Sequence, residues 1–130
     1  MQTFCTIVSA DYIPFAKVLF QSIKKFDNNI AIQVLVIEET NENSEENFIL
    51  HKKDFLTNSP LANQLEIKYA YTSKNHFRCA LKPVFISHLL EHGFDKVIYV
   101  DPDIFFVNNF SFLFTELDTS SILLSPHWGE

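Results

Sequence analysis

A chain of 130 residues, 47% hydrophobic and 15% aromatic, can build one domain around one core and is too rich in aromatics to be a disordered segment. Gly93 and Gly129 are its two glycines, and they cannot spell a G-x-G-x-x-G dinucleotide turn or a G-x-x-x-x-G-K-[ST] phosphate loop. Ten Lys and Arg against 16 Asp and Glu leave a formal charge of −6, which offers no electrostatic footprint for nucleic acid. No apolar run reaches the ~18 residues of a transmembrane helix. The opening MQTFCTIVSADY has no basic region followed by a long apolar stretch, so no export signal is expected. Cys5 and Cys79 form no C-x-x-C pair and read as buried reduced thiols, which fits a cytoplasmic address. Asn109-Phe110-Ser111 is a glycosylation sequon that stays idle without export.

In chain order, Thr3 to Ser9 (TFCTIVS) is short, apolar and β-branched, and predicts a buried strand. Pro14 then stands where a first helical turn tolerates it, and Phe15, Val18, Leu19 and Ile23 follow at helical spacing. Lys24 and Lys25 suit the dipole at that helix's end. Ala31 to Ile37 predicts a second strand. EETNENSEEN reads as a solvated loop running into a helix capped by Ser44-Glu45-Glu46, with FILHKKDFL as its body. LEIKYAY (65–71) alternates like a third strand. A helix is expected over Leu81–His92, with Pro83 near its start and Gly93 just past its end. Asp95 to Val100 has the look of a fully buried central strand. NNFSFLFTELD predicts a short turn or helix, and Ser121–Ser125 a last strand. Strands alternating with helices imply one α/β domain over 1–130, an open and mostly parallel sheet with helices on both faces. Ending on an apolar strand and Trp128, that sheet reads as cut short.

The sharpest chemical feature is Val97-Ile98-Tyr99-Val100-Asp101-Pro102-Asp103. In open parallel sheets ligands gather at the carboxyl ends of strands. Two carboxylates one residue apart can present oxygen to a hard divalent cation, Mn²⁺ or Mg²⁺ rather than Zn²⁺, that also holds a diphosphate. A bare D-x-D is also what a polar Asp-Pro turn looks like. Here, however, it interrupts a hydrophobic run, VIYV before and IFF after, and carboxylates in such a setting need a partner. Tyr12, at the mouth of the first strand, can offer a ring face to a base or simply cap the core with its hydroxyl wet. Lys82 can act as a point charge for phosphate. Arg78, four residues earlier, is a second such cation, and both types are commonly just solvated.

With these residues in view, the chain resembles the N-terminal, nucleotide-binding half of a GT-A glycosyltransferase, most like the family 8 enzymes that include glycogenin and bacterial lipopolysaccharide galactosyltransferases. TIVSADYIPFAKVLFQSI is similar to that family's first strand, nucleotide-binding turn and first helix; Ala80-Leu81-Lys82-Pro83 and KVIYVDPDIFF carry the rest. The resemblance implies a Rossmann-like GT-A fold that binds a nucleotide-diphosphate sugar, a UDP-sugar, for transfer to a saccharide or lipid-linked acceptor with retention of configuration. It implies backbone contacts at Ser9 and Ala10, base stacking on Tyr12, phosphate or sugar contact at Lys82, and Mn²⁺ or Mg²⁺ on Asp101 and Asp103. Complete members are longer, and their second half supplies most of the acceptor site and a histidine metal ligand. His127, in SPHWGE, falls in a segment similar to the family's end-of-strand region rather than to that later motif. Donor binding without transfer is therefore the alternative for this chain, and if the natural protein continues beyond Glu130, Leu123, Leu124 and Trp128 are expected to form an exposed edge that drives self-association.

Two other patterns occur. His88-Leu89-Leu90-Glu91-His92 reads H-x-x-E-H, an inverted zinc-hydrolase motif, but Gly93 places it in the last turn of its helix. Aspartyl-phosphate phosphatases also begin with a strand and D-x-D. They want Thr or Val where Phe105 stands, and more chain than the 27 residues that follow Asp103.

Overall fold

The computed structural model describes residues 1–69 and 71–122. Strand β1 (Gln2–Val8) leads through a 3₁₀ turn at Ala10–Tyr12 into helix α1 (Ile13–Lys24), followed by β2 (Ala31–Val36) and β3 (Phe48–His51). Helices α2 (Lys53–Asn58), α3 (Pro60–Tyr69) and α4 (Lys74–Glu91) come next, then β4 (Lys96–Tyr99) and α5 (Ser111–Glu116). The four strands form one sheet in the order β3-β2-β1-β4. Every pairing is parallel: Thr3 lies beside Ala31, Cys5 beside Tyr99, and Ile32 beside Phe48. This is an open, Rossmann-like α/β fold with both faces of the sheet covered.

The period-two alternation of a strand sorts its side chains onto two cores. Phe4 and Val8 of β1, with Ile32, Val34 and Val36 of β2, pack under α1 and α5. Phe4 sits in a nest of rings there, 4.9 Å from Phe110 in an edge-to-face contact and 5.1 Å from Phe114, the arrangement ring quadrupoles favour. Cys5, Ile7 and Leu35 point the other way, against Phe55, Ala62, Phe77, Leu81, Phe85 and Leu89 of α2 to α4.

Several expectations are corrected. FILH is strand β3, not the body of a helix. Asn47 adopts a left-handed φ of 62° that no helix can run through, and a Glu45–Phe48 bridge turns the chain back along β2. Ser44 therefore accepts from the Leu50 amide at 2.8 Å instead of capping a helix, and the helix proper starts at Lys53. LEIKYAY is not a strand, because Leu65 to Tyr69 belong to α3. Pro60 opens that helix, the Ser59 hydroxyl accepts from the Ala62 amide, and Ala62, Leu65 and Tyr69 meet the core at helical spacing. Ile67, inward on the strand reading, is 69% exposed.

Helix α4 begins at Lys74, seven residues before the expected Leu81. Ser73 caps it by accepting from the His76 amide, and Pro83 lies inside rather than near the start. An interior proline leaves the carbonyl four residues back without its amide. That residue, Cys79, is exposed, as is Pro83, so water can satisfy the carbonyl. The exposure of Cys79 also corrects the reading of two buried thiols, which holds for Cys5 alone. β4 is an edge among the described strands and only half-buried along its length; the central positions belong to β1 and β2. The expected strand at Ser121–Ser125, the edge at Leu123, Leu124 and Trp128, and His127 extend into or lie outside the described residues.

Candidate functional site

Parallel strands all end on the same side, and there the ends of β1 and β4 meet the start of α4. The Val100 amide donates to the Cys5 carbonyl at 3.0 Å, so the chain leaving β4 still tracks β1 when it reaches Asp101. Asp101-Pro102-Asp103-Ile104 then closes a β-turn, with the Ile104 amide 3.1 Å from the Asp101 carbonyl. Proline at the second position of such a turn is pre-set for it. The polar-turn and site readings of D-x-D are thus compatible. The turn presents both carboxylates on the wall of a cavity of about 390 Å³.

Ser9 and Tyr12 line the same cavity, with Ile7, Val8 and Ile37 as its apolar floor and Lys74, Asn75 and Arg78 on the helix side. Of the residues expected from sequence, Ser9, Tyr12, Asp101 and Asp103 therefore share one wall. Tyr12 is 45% exposed and packs against Phe15 with ring centroids 5.0 Å apart. Ser9 donates to Asp11 at 2.6 Å. Ala10 is not on the wall; its amide donates to Glu38 Oε1 at 3.0 Å, so that donor already has a partner. Lys82 is not on the wall either, but its ammonium reaches Asp101 Oδ1 at 3.5 Å.

The early start of α4 supplies what sequence reasoning missed. Lys74, Arg78 and Lys82 are spaced four apart and so share one helix face, a signal present in the sequence but hidden by the later expected start. Arg78 Nη1 lies 3.6 Å from Asp101 Oδ1 and donates to the Tyr99 hydroxyl at 3.3 Å, while Nη2 donates to Asn75 Oδ1 at 3.0 Å. Lys82 stands over the Tyr99 ring, 4.8 Å from its centroid. Burial pushes the Tyr99 phenol up to about 12, so it stays neutral and serves as a fixed platform. Lys74 pairs with Glu38. The Lys74 hydrogen bond, then the Ala10 amide, hold the Glu38 carboxyl below the usual range, and the same pairing raises Lys74.

Asp101 and Asp103 make an oxygen-only donor pair, which fits a hard divalent cation that takes one or two carboxylates and completes its shell with phosphate and water. Among the described residues no group of three or more His, Cys, Asp and Glu is gathered to hold a metal. Any further ligands at this turn would therefore come from the bound phosphate, from water or from residues not described.

A larger groove of about 680 Å³, lined by His51, Asp54, Phe55, His88 and His92 among others, lies away from the acidic turn. It contains the histidines of H-x-x-E-H. Their rings stack 4.1 Å apart, and His92 Nδ1 donates to the His88 carbonyl at 2.7 Å, closing the end of α4. Glu91 and His92 are exposed. The pair behaves as a helix terminus.

Fold and site together define an open-sheet α/β protein with an acidic turn facing a cationic helix across the carboxyl ends of its strands. The chain is 26% identical over 125 residues to the uncharacterized protein YfnF of Bacillus subtilis (strain 168), an alignment covering 94% of this chain and 41% of that protein. It thus spans about two fifths of that relative's length. No family model matches the chain, and no solved structure does. No helix among the described residues is long and apolar enough to cross a membrane.

Proposed function

We propose that this chain is the donor-binding part of a GT-A glycosyltransferase, most like family 8, and that it binds a UDP-sugar. The observation that supports this reading most is the convergence on one cavity of Tyr12, Ser9, the Asp101-Pro102-Asp103 turn, Lys74 and Arg78, with Lys82 reaching Asp101 from beside it. A divalent cation bound at that turn supplies electrostatic neutralisation of the diphosphate leaving group. The protein's own parts do the holding. Asp101 and Asp103 are the metal ligands, Lys82, Arg78 and Lys74 face the phosphates, and Tyr12 fixes the base so that the sugar is oriented for its acceptor. Ser9 contributes at the end of β1, while Ala10 shapes the turn through Glu38. The second reading is donor binding without transfer, which needs no residue beyond those gathered at this cavity and its acidic turn. The distinguishing measurement is turnover of UDP-sugar.

Binding itself is tested by calorimetric titration of UDP, with and without Mn²⁺, into this chain and into the Asp101→Asn/Asp103→Asn variant. The expected result is Mn²⁺-dependent binding, lost in the variant. A folded wild-type chain that ignores UDP under both conditions would overturn the reading.

A further inference from the structure

We infer that Arg78 and Lys82 hold Asp101 in the ligand-free site, so that a divalent cation competes with them and binds cooperatively with a nucleoside diphosphate. This rests on the donor-site reading above and concerns how that site is loaded. Both cations converge on the same oxygen: Arg78 Nη1 is 3.6 Å and Lys82 Nζ 3.5 Å from Asp101 Oδ1. Neither is a loose surface charge, since their side chains are 23% and 31% exposed. One residue, Tyr99, fastens both, accepting from Arg78 through its hydroxyl and lying under the Lys82 ammonium with its ring. Asn75 holds the other guanidinium nitrogen at 3.0 Å.

A metal ion arriving alone therefore meets a half-exposed carboxylate that two cations already flank, both within reach of the same oxygen. Binding through Asp103 and the other Asp101 oxygen does not escape the repulsion, because the cations stay within a few ångströms. A diphosphate changes the balance. Its oxygens offer Arg78 and Lys82 an alternative anion, which is what such side chains recognise best. Asp101 is then released to the metal. Whatever factor the diphosphate adds to metal affinity, the metal must add to diphosphate affinity.

The test titrates Mn²⁺ alone into the full chain, followed by the electron paramagnetic resonance signal of free Mn²⁺, for wild type, Arg78→Gln, Lys82→Gln and Tyr99→Phe. UDP is titrated in parallel at saturating Mn²⁺, and circular dichroism checks that each variant is folded. The two Gln variants are expected to bind Mn²⁺ alone about three- to tenfold more tightly, because a nearby positive charge is gone. They are expected to bind UDP more weakly. Tyr99→Phe, which keeps the ring under Lys82 and removes only the hydroxyl that accepts from Arg78, should tighten Mn²⁺ binding by less. Folded variants whose affinity for Mn²⁺ alone is unchanged or lower, beside a wild type that binds both ligands, would overturn this inference and leave the donor site standing. A wild type that binds neither ligand would overturn both.

Discussion

Next in sequence to Ile37 of the cavity floor, the Glu38 carboxylate makes two contacts at once, accepting from the Ala10 amide at 3.0 Å and pairing with Lys74. It ties the turn after β1 to the first residue of α4. Its folded-state value lies below the ordinary glutamate range, so the tie is fully present above the unfolded value and is lost as pH falls through the lower folded one. In Lys74→Met the larger cause of the depression is gone. A carboxyl-detected NMR titration should then show the Glu38 midpoint rising toward that of a free glutamate. An unmoved midpoint would mean that Lys74 does not pair with it in solution. Glu38 was not readable as a site residue, because it opens the acidic stretch EETNENSEEN and looks like one more solvated carboxylate. Asp101 and Asp103 were readable because acids inside a hydrophobic run need a reason. Arg78 and Lys82 were visible as cations, but Tyr99 was not, since an aromatic in VIYV reads as core until its hydroxyl is seen against a guanidinium.

Among the elements, β3 and α4 bring His51 and His88 together, with Phe55 of α2 packed against His88. His51 lies 2.8 Å from the Gln33 amide oxygen and packs edge-on against Phe85; its ring centroid is 6.5 Å from that of His88. Burial and then the neighbouring His88 push His51 down, against a smaller upward pull from Asp54. Burial and then His92 do the same to His88, opposed by Glu91. Groups whose folded values are lowered in this way resist charging in the native state. Stability is therefore undiminished above the unfolded histidine value of roughly 6.5 and declines as pH falls below it, because the unfolded chain binds more protons. The midpoint of urea denaturation should accordingly fall between pH 7.5 and pH 5.5, conditions chosen to bracket that value. The fall should be shallower in His51→Gln/His88→Gln, and equal slopes would show that the histidines charge freely in the folded protein. The same region shows where sequence reading failed. FILHKKDFL holds helical and strand periods in one short apolar run, and the choice is made by the backbone of Asn47 and by pairing to β2. LEIKYAY alternates by coincidence of composition, while the Ser59-Pro60 start just upstream of Leu65 carries the helical signal. β1, α1 and β2 were readable because apolar period, Pro14 and the terminal lysines agree with one another.

Across the whole molecule, stability is distributed so that the candidate site joins rigid and less rigid parts. β1 is paired on both sides, and its residues Thr3 to Val8 are all buried. On the sheet face opposite α1 and α5, α2 is six residues long, α3 is ten, and their buried positions are Phe55, Leu56 and Ala62. Local opening costs least where few apolar contacts are broken. Amides of α2 and α3 should therefore exchange with deuterium through local fluctuations, while those of β1 should exchange only when the chain unfolds globally. The site hangs from two strands of unequal burial, since Ser9 follows the buried strand β1 directly and the Asp101–Ile104 turn leaves the half-buried strand β4. If UDP and Mn²⁺ bridge these parts, their addition should slow exchange at the Ile104 amide, whose only partner is the turn carbonyl of Asp101 among the contacts described. The amides of α2 and α3, remote from the acidic turn, should respond far less. Equal protection of β1 and α3 in the free chain would refute the unequal distribution. An Ile104 amide indifferent to both ligands would place their binding away from the turn.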